Sequence, residues 1–73
     1  SIEFAFAQIP DKDASLIIYD ATGRLIKKFD NLNQSLIWDG TDHMNLPVES
    51  GVYFYVVQKG NYLKRGKFVF IGK

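Results

Sequence analysis

Cysteine is absent from the 73 residues, which excludes a disulfide framework and a thiolate zinc site. Its absence is compatible with a bacterial cell surface without arguing for one. There is a single histidine, His43, and only two prolines, Pro10 and Pro47. No apolar run approaches the roughly 20 residues that a helical membrane span needs. Neither sign of charge dominates: 9 basic against 8 acidic residues leave a net charge of +1. That balance gives no general attraction to nucleic acid or to an anionic membrane. Internal repeats, linkers and low-complexity tracts are also missing, so residues 1–73 read as one domain. The first residue is serine and no signal peptide pattern is present, so the chain reads as a fragment or processed piece of something larger.

With no covalent staple, the core has to come from side chains. A domain this short buries only about 60% of the surface its unfolded chain exposes. The composition compensates: 47% hydrophobic and 15% aromatic residues, far from the profile of a disordered segment.

Helix periodicity is lacking, and apolar residues alternate or cluster in short runs closed by turn residues. Ile2, Phe4 and Phe6 alternate as a first strand, broken at Pro10 and the stretch from Asp11 to Asp13. Ser15 to Tyr19 forms a second strand, Asp20-Ala21-Thr22-Gly23 a tight turn, and Arg24 to Phe29 the returning strand of a hairpin. After a turn at Asp30 to Asn33, Ser35 to Trp38 reads as a short fourth strand. Residues 39 to 51 are polar and read as a long loop. Val52 to Gln58 is the clearest strand, followed by a turn at Lys59-Gly60-Asn61 and a last strand, Tyr62 to Ile71, bent at Gly66. Six to seven short strands at this spacing favour an all-β sandwich or small barrel. Leu16 with Ile18, Leu36 with Trp38, and Phe68 with Phe70 each share a face. The strand from Val52 is apolar on both faces, so alternation leaves its inward side open.

Little of this supports catalysis. His43 is alone in a loop, and Ser50 lacks both a G-x-S-x-G context and a histidine partner nearby in sequence. Asp39, Asp42 and Glu49 could form an acid/base pair, but so small a chain offers little room for a cleft. No catalytic residue, no cofactor-binding residue and no cofactor is expected. Asp39, Asp42 and Asn45 put hard oxygen ligands at three-residue spacing, a weak calcium candidate. The plainer reading has Asp39 and Asp42 binding nearby backbone N–H groups. Lys27, Lys28, Lys59, Lys64, Arg65 and Lys67 interleave with tyrosines, a pattern that can bind single-stranded nucleic acid, but here they read as a solvent face and edge. Asn33-Gln34-Ser35 matches a glycosylation acceptor by letters alone.

Four segments, LIIYDATGRLI from Leu16, then IWDGTD, LPVESGVYFYVV and GKFVFIGK, together resemble one family. It is the C-terminal sorting domain of proteins exported by the type IX secretion system, common in Bacteroidetes, which is similar to the immunoglobulin-like domain of the flagellar hook-capping protein. The resemblance spans essentially the whole chain and implies an immunoglobulin-like antiparallel β-sandwich of six to seven short strands. Its structural motif residues fall at Tyr19, Asp20, Gly23 and Arg24 in the hairpin turn, and at Trp38, Asp39 and Gly40. The motif continues at Pro47, Gly51, Tyr53 and Tyr55. It also implies that Tyr53, Tyr55 and Val57 face inward opposite Leu16 and Ile18. Ile17 and Val56 are apolar where the family is often polar, which leaves Phe54 and Val56 as an exposed patch. Met44-Asn45 stands where the family often has Asn-Gly, and asparagine tolerates positive φ.

By this resemblance the chain is a non-catalytic secretion signal at the end of a cargo protein, recognised by the outer-membrane translocon and removed by a sortase-like peptidase. Its recognition residues would be Lys67, Phe68, Val69, Phe70, Ile71, Gly72 and Lys73, which read as a true chain end, together with the hairpin before them. Its partners would be the translocon, the peptidase, upstream cargo domains and, weakly, a second copy. Nucleic acid and a membrane span are excluded. The destination is outside a Gram-negative cell or on its surface, by way of the periplasm. The competing readings are a structural or adhesive module of the hook-capping type, and a carbohydrate-binding module using Trp38 and the tyrosines.

Overall fold

The structure, a computed structural model, describes residues 2–5, 14–30, 32 and 35–72, with the backbone alone at 2–5 and 35. It is all-β and antiparallel. The described residues contain six strands: β1 (Ile2–Ala5), β2 (Ser15–Asp20), β3 (Leu25–Asp30), β4 (Ser35–Trp38), β5 (Gly51–Lys59) and β6 (Tyr62–Phe70). β1 pairs with β4, and the other strands form a four-stranded sheet in the order β3-β2-β5-β6. Phe6, the break from Pro10 to Asp13, the Asn33-Gln34 part of the glycosylation triplet and Lys73 lie outside the described residues.

Register explains which residues the core receives. Leu16 pairs with Val57, Ile18 with Tyr55 and Tyr53 with Phe68, so one face of the large sheet collects these side chains. Leu16, Ile18, Tyr53, Val57 and Phe70 are buried, with Tyr55 and Phe68 half-buried beside them. This settles the open face of β5 in favour of Tyr53, Tyr55 and Val57. Trp38, fully buried at the end of β4, rests on the same face; its ring centroid lies 5.5 Å from Tyr53, 5.7 Å from Phe68 and 4.9 Å from Phe70. Tilted and edge-on contacts of this kind add roughly 0.5–1.5 kcal/mol each beyond area burial.

Two positions stand out. Pairing is not interrupted at Gly66: β6 runs through it with an unbroken register against β5. A Cβ there would run into the Tyr55 ring, so this glycine makes room for a side chain across the pair. Lys27 does not lie on the solvent face. Ile18 pairs with Lys27 and Tyr19 with Leu25, so Ile26 is an extra residue in β3. Lys27, two residues from the core-facing Phe29, points to the core side by regular alternation, and the bulge turns Ile26 that way as well, so that Ile26 is buried and Lys27 half-buried. The Lys27 Nζ donates to Thr41 Oγ1 at 2.6 Å and stands 3.9 Å from Asp39 Oδ1.

Candidate recognition surface

The chemistry-bearing residues of the loops are occupied by their own backbone. Asp20 Oδ1 accepts from the N–H groups of Thr22 and Arg24, both at 2.9 Å, and from the Thr22 hydroxyl at 2.7 Å. Gly23, at φ 90°, donates its N–H to Asp20 O, and Asp20 N–H donates to Arg24 O, which closes β2 onto β3. Asp42 builds the same turn. Its Oδ1 accepts from Met44 and Leu46 N–H at 2.9 and 3.0 Å. Asn45 N–H donates to Asp42 O, and Asp42 N–H donates to Leu46 O. Asn45, at φ 65°, takes the position that Gly23 holds in the first turn. Both are three-residue loops with a left-handed residue in the last position. The expected long loop is therefore a small hairpin, closed by a bridge between Thr41 and Pro47. Pro47 sits in that bridge and not at the start of β5.

These bonds hold the Asp20, Asp39 and Asp42 carboxyls below the ordinary 3.8, chiefly through the Thr22 hydroxyl, the Thr41 hydroxyl and the Leu46 N–H respectively. Asp39 Oδ1 accepts from Thr41 at both N–H and hydroxyl, at 3.2 and 2.6 Å. Asp39 Oδ1 and Asp42 Oδ1 thus serve backbone and hydroxyl donors, and no group of three or more histidines, cysteines or acids that could hold a metal ion occurs among the described residues. His43 is exposed beside Asp42, and Ser50 has a different use: its hydroxyl accepts the Gly72 N–H at 2.8 Å. Nothing local in the sequence could have revealed that contact, because it joins residues 22 apart.

Trp38, Asp39 and Gly40 form one fitting. The indole Nε1 donates to Thr41 O at 2.8 Å, so the ring is buried with its polar atom satisfied. Gly40 has φ 82°, and a Cβ on it would run into the Phe70 ring. The first of these residues therefore packs on Phe70, and the third leaves space for it. Farther along, Tyr53 donates its hydroxyl to Glu49 O at 2.6 Å. Burial, with the nearby Asp20 and Glu49 charges, pushes its pKa up. With Trp38 fully buried and Tyr53 nearly so, neither of these two rings can stack on a sugar, whereas Tyr62 is exposed.

The expected recognition segment from Lys67 is divided by the pleat. Phe68 and Phe70 face the core, and Gly72 is tied to Ser50. Lys67, Val69 and Ile71 are exposed, Val69 at 62% and Ile71 at 80%. β6 is an outer strand of its sheet, so one side of its backbone has no strand partner among the described residues.

The described residues thus define an antiparallel all-β module whose loop carboxylates are spent on turns and whose last strand is anchored by aromatic rings. The chain belongs to the CHU_C type IX secretion signal domain family, whose model matches residues 2–71. No curated protein and no solved structure gives a significant match. A signal of this kind implies export out of the cell and an interaction with the secretion machinery, and the family is generally non-catalytic.

Proposed function

We propose that residues 1–73 form a single, non-catalytic C-terminal signal domain with an immunoglobulin-like sandwich fold. In this reading the outward side chains Lys67, Val69 and Ile71, with the edge of β6 that has no strand partner among the described residues, are what the outer-membrane translocon of a Gram-negative cell grips after the cargo reaches the periplasm. A sortase-like peptidase then removes the domain. The observation that carries the reading is the family match over nearly the whole chain, joined to a last strand whose inward rings hold its outward side chains in place.

Strand order supports the fold. An immunoglobulin-like sandwich sets strands C′, C, F and G in one sheet and B beside E in the other. The order β3-β2-β5-β6 with β1-β4 fits that plan, taking the six strands as B, C, C′, E, F and G. Tyr53 supports it too: a tyrosine near the start of strand F whose hydroxyl bonds backbone a few residues upstream is a feature of these sandwiches. One departure is that the buried tryptophan comes from β4 and not from strand C.

An exposed strand edge with alternate side chains is a known mode of peptide recognition, and it needs no catalytic group on the domain. The test is to fuse residues 1–73 to the C-terminus of a carrier protein in a bacterium that has type IX machinery. The fused carrier should appear outside the cell and the bare carrier should not. Equal retention of both would overturn the reading.

A further inference from the structure

We propose that the outer face of the four-stranded sheet docks an acidic, extended segment of a partner protein, one whose carboxylates alternate with apolar side chains. This rests on the export reading for the presence of a partner, and adds the partner's chemistry.

The face follows from register. With Leu16, Ile18, Tyr53 and Val57 inward, alternation places Ile17, Tyr19, Phe54 and Val56 on the opposite side. A solvated face of an antiparallel sheet is normally polar. Here Phe54 is exposed, the other three are half-buried, and exposed Val52 and Val69 pair beside them. A groove of about 510 Å³ opens over Tyr19, Phe54 and Val56, with Arg65 and Lys67 along its border.

Charge selects the occupant. Arg65 pairs with Val56 and Lys67 with Phe54, so each cation stands beside one apolar residue of the floor. Across the sheet, Lys28 pairs with Ile17. Lys28 has Asp30 at 3.8 Å, but among the described residues no ion pair involves Arg65 or Lys67. The acid lining the groove, Asp20, is engaged by its own turn and by Arg24 at 3.3 Å. An extended strand repeats every two residues, so a segment alternating Glu or Asp with apolar residues matches cations and floor together. A second copy fits poorly, because two such faces would set like charges opposite one another.

The probe is a short peptide alternating glutamate with leucine and phenylalanine, titrated into the isotope-labelled 73-residue chain and followed by amide NMR shifts. Its counterpart replaces every glutamate with lysine. The acidic peptide should shift amides around Tyr19, Phe54, Val56, Arg65 and Lys67, and should bind at least about tenfold more tightly than the lysine peptide. R65E/K67E should reverse that preference, and F54S should weaken both complexes; unchanged Trp38 fluorescence confirms that each variant is folded. Equal binding of the two peptides, no shifts at millimolar peptide, or shifts confined to the free edge of β6 would overturn the proposal. So would tighter binding of single-stranded oligothymidylate, or self-association that F54S abolishes. Export of the fused carrier by the intact chain, measured alongside, separates the two ideas: export without peptide binding sinks the docking face alone, and peptide binding without export sinks the secretion reading alone.

Discussion

Trp38 meets three aromatic neighbours and donates its only polar hydrogen to Thr41, so it joins β4 to both β5 and β6. Trp38→Ala should cost about 3–5 kcal/mol, a large share of what so small a domain has, and denaturant titration should show it largely unfolded. The hydroxyl of Tyr53 is worth about 1 kcal/mol by its bond to Glu49 O. Tyr53→Phe should therefore lower Tm by roughly 4–8 °C. Since its folded pKa is raised, the contribution of Tyr53 is full below an ordinary value of 10.0 and fades as pH climbs through the folded value. The phenylalanine variant should lose that alkaline fall. The aspartates have the opposite sign. Their folded values are depressed, so their stabilisation is present above 3.8 and lost as pH drops through the folded values. Asparagine can still accept the backbone N–H bonds, so a triple Asn variant at positions 20, 39 and 42 should show a flatter fall in Tm below about pH 4. An unchanged acid limb would show that other carboxyls govern it.

At the scale of elements, the strands were legible because alternation and turn chemistry agreed. Asp20 and Gly23 announced their turn, and the structure closes it through the bonds those residue types supply. Its twin at Asp42 was legible in part: the positive φ at Asn45 and the backbone bonds of Asp42 were expected, but the polar run around them reads as loop, not as a hairpin. Lys27 was missed because its charge argues for solvent although it lies two residues from the inward Phe29, and nothing in the letters marks Ile26 as the extra residue that the bulge turns inward. The close approach at Gly66 was not legible, because a strand glycine can mark a bend or a close approach and the position of Tyr55 across the pair is not in the local sequence. Ser50 joins the loop before β5 to the segment after β6. Ser50→Ala should leave the unfolding free energy within about 1 kcal/mol of the parent while the Gly72 amide loses protection from hydrogen exchange. Gly40→Ala acts on a wider scale, forcing both a strained φ and a displaced Phe70 ring. It should cost about 2 kcal/mol or more and loosen the end of β6.

For the whole molecule, family membership and the all-β fold agree with the residues that carried the resemblance, because turn, tryptophan and tyrosine positions are set by the same packing. The recognition segment was legible only as a block. Its division into anchoring rings and outward side chains depends on the register of β6 against β5, which fixes the inward residues as Phe68 and Phe70. Outward substitutions there should therefore change recognition without unfolding the chain, since exposed positions usually shift stability by no more than about 0.5 kcal/mol. The most direct measurement compares export of a carrier fused to the intact chain with export of one fused to V69E/I71E, after confirming an unchanged Tm for the variant. Retention inside the cell with normal folding is the outcome this account predicts. Undiminished export of the folded variant would contradict it.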